Sequence, residues 1–360
     1  MRFDIFSPYS VIIALLIYLV LALSGTLMGI RGLRLPSWLS VLYMVLGASI
    51  FILGAYMSGR IRTEKPASPG NPKETLLVLL VTSGIILQAL NLYLLGGIPL
   101  LSGYLKARAV TKIWLLSYLI FLPSINMLLA AYPRRRYCIP LIIGATLFAF
   151  TGYRTTVVVI LLSGMITIYY SARPSPRQIG LLLSALAIVA ISVGYIAVKS
   201  IEWQNWTLNP LELLLYRAGY TLMVFDRLLD HQGATAGKLL YHTLTGYLHS
   251  TDPRAIVGEV VLGYRHSTTS LIFGPPLLDF GLPAMVIQMF LLGLILGLMH
   301  RIQISLNGIF TGIYSVILAH TIIWVETGPT DLVVWLFYMV AVISIIYVLW
   351  RCYPETGGCS

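Results

Sequence analysis

Apolar residues run along this chain in long blocks rather than alternating with polar ones, a pattern that predicts helices sized for a bilayer. A helix needs about 20 such residues to cross a ~30 Å hydrocarbon core. Blocks of that kind fall near 8–29, 37–58, 75–95, 113–132, 137–153, 155–171, 178–198, 279–299, 304–325 and 330–350, about ten in all. The fifth and sixth are short and meet at a tight turn, Gly152-Tyr153-Arg154. The segment 199–278 interrupts the pattern and predicts helices of its own. Asn209-Pro210 reads as an N-cap and first-turn proline for a helix over 211–229. A second helix is expected over 236–248, and a third from Asp252-Pro253 to near Gly263, before Gly274-Pro275-Pro276 breaks the chain. The expected architecture is all-α: one integral membrane domain over 1–360 with 199–278 as a loop subregion. No internal repeat or low-complexity tract stands out.

Composition agrees with the pattern. The 360 residues are 58% hydrophobic and 10% charged, with mean hydropathy +0.86, whereas soluble domains carry roughly a quarter charged residues. The net charge of +11, from 24 basic against 13 acidic residues, is ordinary for a membrane protein whose cytoplasmic loops collect Lys and Arg, and does not imply nucleic-acid binding. Cys138, Cys352 and Cys359 show neither redox nor metal-ligand spacing. The apolar stretch after Met1-Arg2 is too long for a signal-peptide core and reads as a retained first span.

Sidedness follows from the basic residues of the tails and short loops. Arg2, the 60–73 cluster, Arg134, Arg135, Arg136, Arg173, Arg177, Arg301 and Arg351 fall on one side, roughly twice as many as on the other. That side is expected to be cytoplasmic, with both termini inside a plasma membrane. The 199–278 loop, the 96–112 loop and the 152–154 turn then lie outside and are expected to face one cavity.

Several external residues suit anion chemistry, each with a structural alternative. Arg154 stands alone between two spans, either snorkelling to headgroups or offering a planar guanidinium to a phosphate. Arg217 lies inside an apolar helical run, where an unpaired guanidinium costs about 2.5–3.5 kcal/mol; its structural partners would be Asp226 or Glu259. Gly263-Tyr264-Arg265-His266-Ser267-Thr268-Thr269-Ser270 combines a cation, an imidazole and four hydroxyls, as an anion-accepting loop or a plain solvated one. His266 suits a general base, with Glu259 and Asp252 as rivals. No HExxH, DxD or GxSxG occurs, His242 and His249 alone do not make a metal site, and Asn205-Trp206-Thr207 is a glycosylation sequon.

Three stretches carry a resemblance: Gly96-Gly97-Ile98-Pro99-Leu100; Gly152-Tyr153-Arg154-Thr155-Thr156; and 263–269 leading to Phe273-Gly274 and Asp279-Phe280-Gly281. With about ten spans and one long late external loop, the chain resembles the oligosaccharide repeat unit polymerases, O-antigen polymerase (Wzy-type) proteins, distantly related to O-antigen ligases. The resemblance covers most of the chain in layout. It implies a GT-C-like, metal-independent, cofactor-free membrane glycosyltransferase that moves a glycan from a polyprenyl pyrophosphate onto a second lipid-linked unit at the outer face. The implied partners are that lipid-linked oligosaccharide, the bilayer, and a flippase or chain-length protein. One departure stands: many family members carry an arginine followed eleven positions later by glycine in an external loop, and here only Arg301 with Gly312 has that spacing.

The chemistry so implied needs cations for the leaving pyrophosphate. Arg217, Arg265 and Arg154 are the first expectations, then Arg254, Arg108 and Lys199. His266, then Glu259, would activate the acceptor hydroxyl, and Tyr153, Tyr264, Trp203 and Trp206 would stack on sugar rings. Alternatives are a lipid-linked glycan ligase, a transporter or flippase, and a non-catalytic assembly partner. A transporter would usually carry ionisable residues at mid-membrane, where the early spans offer only Gln88, Asn91 and Asn126.

Overall fold

The computed structural model describes residues 4–60, 70, 72–201, 207–249 and 251–352. Trp203, Asn205 and Trp206 lie outside the described residues, as does the side chain of His249.

Among the described residues the chain is helical. Nine helices are long and apolar enough to cross a membrane: α1 (Ser10–Leu27), α2 (Trp38–Ser58), α3 (Glu74–Leu94), α5 (Lys112–Ala131), α7 (Arg154–Ala172), α8 (Pro176–Lys199), α13 (Leu282–Leu306), α14 (Ile309–Thr327) and α15 (Leu332–Cys352). Between them lie α4 (Gly103–Arg108), α6 (Cys138–Ala149), α9 (Pro210–Leu228), α10 (Lys238–His249), α11 (Pro253–Leu262) and α12 (Gly274–Phe280). The expected span at 137–153 is therefore the 12-residue α6, about 18 Å long at 1.5 Å per residue, well short of ~30 Å. The proline-started helices at 210 and 253 form where their caps predicted; the Asp252 side chain accepts from the Arg254 N–H, and α11 ends at a left-handed Gly263. The apolar turn before α13 does not stay extended after Gly274: it winds into α12, buried from Gly274 to Asp279.

The chain divides into two compact units. The first comprises Met1–Arg62, Leu211–Arg301 and His320–Val342; the second comprises Thr63–Pro210, Ile302–Ala319 and Ile343–Ser360.

In the first unit, α2 and α13 touch backbone to backbone. A side chain on Gly54 would strike the Phe290 carbonyl, one on Gly293 the Phe51 carbonyl, and one on Gly297 the Ser58 hydroxyl. Small residues at such spacing let helices approach closely and gain dispersion contact, the main attraction between helices in lipid. Arg301 seals one end, donating Nη1–H to the Ser58 carbonyl at 2.6 Å, so the arginine of the one Arg–Gly pair with family spacing is occupied in holding two helices together. Asp279, 4% exposed, is the acid that joins α10 to α12. Its carboxylate accepts from the Leu239 N–H at 2.9 Å, the Leu240 N–H at 2.6 Å and the Thr235 hydroxyl at 2.6 Å, satisfying orphan donors of the α10 N-terminus.

In the second unit α3 packs along α5, and α7 against α5, α6 and α8. Its buried amides are bonded in sets. Asn126 donates to the Leu122 carbonyl and to Ser163 Oγ and accepts from Thr167 Oγ1; Thr111 donates to Asn91 Oδ1; Ser117 donates to Gln88 Oε1. Water is absent from a bilayer core, so each such bond spares the cost of an orphaned polar group.

Candidate active site

The first unit builds its site around α9. At 3.6 residues per turn, Tyr216 and Tyr220 lie one above the other, and their rings are stacked with centroids 5.9 Å apart. Arg217 lies beside this pair. Its Nη2 stands 3.7 Å from Glu326 Oε1, with the two side chains 43% and 21% exposed. That is longer than the 2.7–2.9 Å typical of a charge-assisted hydrogen bond. The partner is thus Glu326, from the end of α14, and not Asp226 or Glu259.

Asp226 is engaged elsewhere. It accepts from the Ser37 N–H at 2.8 Å, the Ser37 hydroxyl at 2.5 Å and the Ser40 hydroxyl, which ties α9 to the start of α2. Burial pushes its pKa up, but the three hydrogen bonds outweigh that and leave it below the ordinary aspartate value.

The 263–269 segment folds back along α11 and docks on α9. The Thr268 N–H donates to the Arg254 carbonyl at 3.1 Å, and the His266 carbonyl lies where a side chain on Gly258 would sit. Thr269 Oγ1 meets Thr221 Oγ1 at 2.9 Å, while Tyr264 and Thr268 lie beside the Tyr220 hydroxyl. Tyr264 and His266 rings are 6.2 Å apart. Residues 263–267 are exposed and 268 is buried, so Arg265 and His266 are presented to solvent while their flanks are anchored. Burial, with Tyr264 alongside, pushes the Tyr220 phenol up to about 12, so it remains a hydrogen-bond donor at neutral pH.

Two sequence candidates of this unit stand differently. Arg254 Nη2 is closed on Asp331 Oδ1 at 2.6 Å, a tether between α11 and the start of α15. Glu259 is exposed on α11.

Tyr153, Arg154, Arg108 and Lys199 belong to the second unit. Arg154 opens α7, a helix end where a cation works against the dipole and an anion with it; its side chain lies along Gly194 of α8. The Tyr153 hydroxyl donates to the Lys106 carbonyl at 3.1 Å, and Lys106 Nζ donates to the Ala197 carbonyl at 3.2 Å. The Arg108 guanidinium lies 4.3 Å from the Tyr104 ring centre, and Lys199 Nζ 5.7 Å from that of Tyr195. Among the described residues no three of His, Cys, Asp and Glu stand together as metal ligands.

Sequence reasoning missed Glu326, Tyr216 and Tyr220. A tyrosine pair at i and i+4 beside an arginine is a legible signal on an external helix, once such a helix is not read merely as interfacial.

A multi-pass membrane protein, helical among the described residues, here brings cations, phenols and an imidazole onto one helix and its docked loop. The chain belongs to the O-antigen polymerase family: the family model described as "Putative O-antigen polymerase" matches residues 4–338. Membership implies a membrane polymerase of lipid-linked repeat units, a glycosyltransferase-type enzyme of polysaccharide biosynthesis. Two uncharacterized proteins of Methanocaldococcus jannaschii are similar. One is 25% identical over 283 residues, covering 76% of each chain. The other is 28% identical over 256 residues, covering 71% of this chain and 61% of its own length. No solved structure matches.

Proposed function

We propose that this chain polymerises oligosaccharide repeat units carried on a polyprenyl pyrophosphate, at the extracytoplasmic face of the membrane and without a metal ion. The observation that carries the reading is the convergence on α9 of Arg217, the Tyr216–Tyr220 pair and the docked loop bearing Tyr264, Arg265 and His266. The acceptor hydroxyl oxygen attacks the anomeric carbon of the donor glycan. The bond from that carbon to the pyrophosphate oxygen breaks, its electron pair leaves on the lipid pyrophosphate, and the hydroxyl proton passes to a base. Arg217 and Arg265 neutralise the charge that develops on the leaving group, the largest electrostatic demand of the step. His266 is the first assignment for the base and Glu259 the second. Tyr264 supplies a ring for a sugar face. In the second unit Arg154 is assigned to a phosphate, which the N-terminus of α7 would also favour.

The sidedness belongs to the same reading. Termini inside and the 199–278 loop outside require the 12-residue α6 to complete a crossing with its flanking residues. Cysteine placed at Ser267 should react with an impermeant reagent from outside, and cysteine at Arg135 should not; the reverse pattern overturns the sidedness alone.

Labelled lipid-linked oligosaccharide added to the purified protein in liposomes tests the activity. A ladder of products, undiminished in EDTA, is expected. Translocation without a ladder identifies a flippase, a single transfer to a different acceptor a ligase, and a ladder abolished by EDTA removes the metal-free mechanism.

A further inference from the structure

The turn after α1 holds an arginine in a backbone conformation that side chains disfavour. Gly29 (φ 63°) and Gly32 (φ 72°) adopt left-handed geometry at little cost, but Arg31 between them is also left-handed, at φ 50°, ψ 36°. A non-glycine residue held there is strained and persists only where its surroundings impose it.

Residues 31–37 form a strap along α9. The Arg31 guanidinium lies 5.9 Å from the Tyr216 ring centre, and the buried Leu33 packs its Cδ1 into the space that Gly219 leaves open. Ser37 binds Asp226. At 3.6 residues per turn, Gly219 and Asp226 flank the Tyr216–Tyr220 stripe on one side, while Arg217 and Thr221 flank it on the other. The strap therefore brings one guanidinium to one side of the tyrosine ridge, and α9 itself supplies Arg217 on the other. Burial raises the Tyr216 phenol pKa and Arg31 pulls it back down, which agrees with a cation reaching that ring.

We propose that Arg31 is a phosphate-binding residue of the donor site, forming with Arg217 a two-sided clamp across the Tyr216–Tyr220 ridge for the pyrophosphate diester of a lipid-linked donor. This rests on the reading that Arg217 binds that pyrophosphate. The strain at Arg31 is retained because it aims the guanidinium at the ridge.

The test uses the full chain in nanodiscs with inorganic pyrophosphate as the probe, reading both affinity and melting temperature. Arg31→Gly relieves the left-handed strain and removes the cation. It should melt no lower than the wild type while binding pyrophosphate about tenfold more weakly, the loss of one hydrogen bond to a charged group. Arg31→Lys should recover part of the affinity. Wild-type affinity in Arg31→Gly overturns the clamp, and so does a melting temperature lowered by several degrees, because the residue then serves the fold. Arg217→Gln separates the two claims: if it binds pyrophosphate like the wild type, the reading of Arg217 fails whatever Arg31 does. If it loses binding while Arg31→Gly does not, only Arg31 is withdrawn.

Discussion

The buried amides of the second unit and the polar residues of α9 and its loop in the first are held in opposite ways. In the second, Gln88, Asn91 and Asn126 are at most 1% exposed, and each bonds to hydroxyls or carbonyls of packed helices. These are neutral groups, satisfied pairwise, which hold helices together in a solvent that offers no hydrogen bonds. In the first unit the polarity of α9 and its loop is charged or phenolic and stays partly exposed: Arg217 at 43%, Tyr264 at 58%. Buried amides bonded to their neighbours act as internal fastenings, whereas partly exposed cations on an anchored helix and loop are equipped to meet an anion. The contrast also bears on a transport reading, since the polar residues of the early spans are occupied by helix packing.

The largest expected break in this contrast is Arg217→Gln. Removing one preorganised donor to a developing anion costs about 10²–10³-fold in turnover, so product ladders should all but vanish at unchanged expression; wild-type ladders would place Arg217 among the fastenings. His266→Asn should lower the rate by about 10²-fold or more, with Glu259→Gln near the wild type. The opposite ranking moves the base to Glu259. Asn126→Leu probes the other side: it should lower unfolding stability by about 1–2 kcal/mol and leave product length unchanged. Altered ladders at intact stability would give the second unit's amides a role in the reaction.

The smallest effect concerns Asp226. Its folded pKa lies below the ordinary 3.8, so its contribution is full above that value and is lost as pH falls through the lower, folded one. Partly exposed as the group is, the contribution is no more than about 1 kcal/mol. Between pH 5 and 3 the wild type should lose more stability than Asp226→Asn, as read by thermal melting. Parallel curves would mean that the serine bonds do not stabilise the ionised form.

Much of this was legible in the sequence because capping chemistry is local. Asn209-Pro210 and Asp252-Pro253 mark helix starts, and Gly263 marks an end, from neighbouring residues alone. The 137–153 block marked an apolar helix but not its length, because apolarity reports burial or lipid contact, and α6 stops at Ala149. Arg217 was legible as a cation in need of a partner, yet its partner was not. Asp226 lies nine residues on, about two and a half turns away on the opposite face, and Glu326 arrives from a helix remote in sequence. Arg31 was invisible as a site residue, because neither its left-handed backbone nor its reach to Tyr216 leaves a signature beyond two flanking glycines.

The backbone contact between α2 and α13 has a mechanical consequence. Bilayers differ in thickness, and helices answer hydrophobic mismatch by tilting. With Gly54, Gly293 and Gly297 leaving no side chain to slide across, and Arg301 pinning one end, these two helices are expected to tilt as one rod. Ser37 and Ser40 at the start of α2 grip Asp226, so α9 is carried along. The depth of its cations then follows a single lever, and a thinner or thicker membrane shifts the whole constellation without pulling it apart.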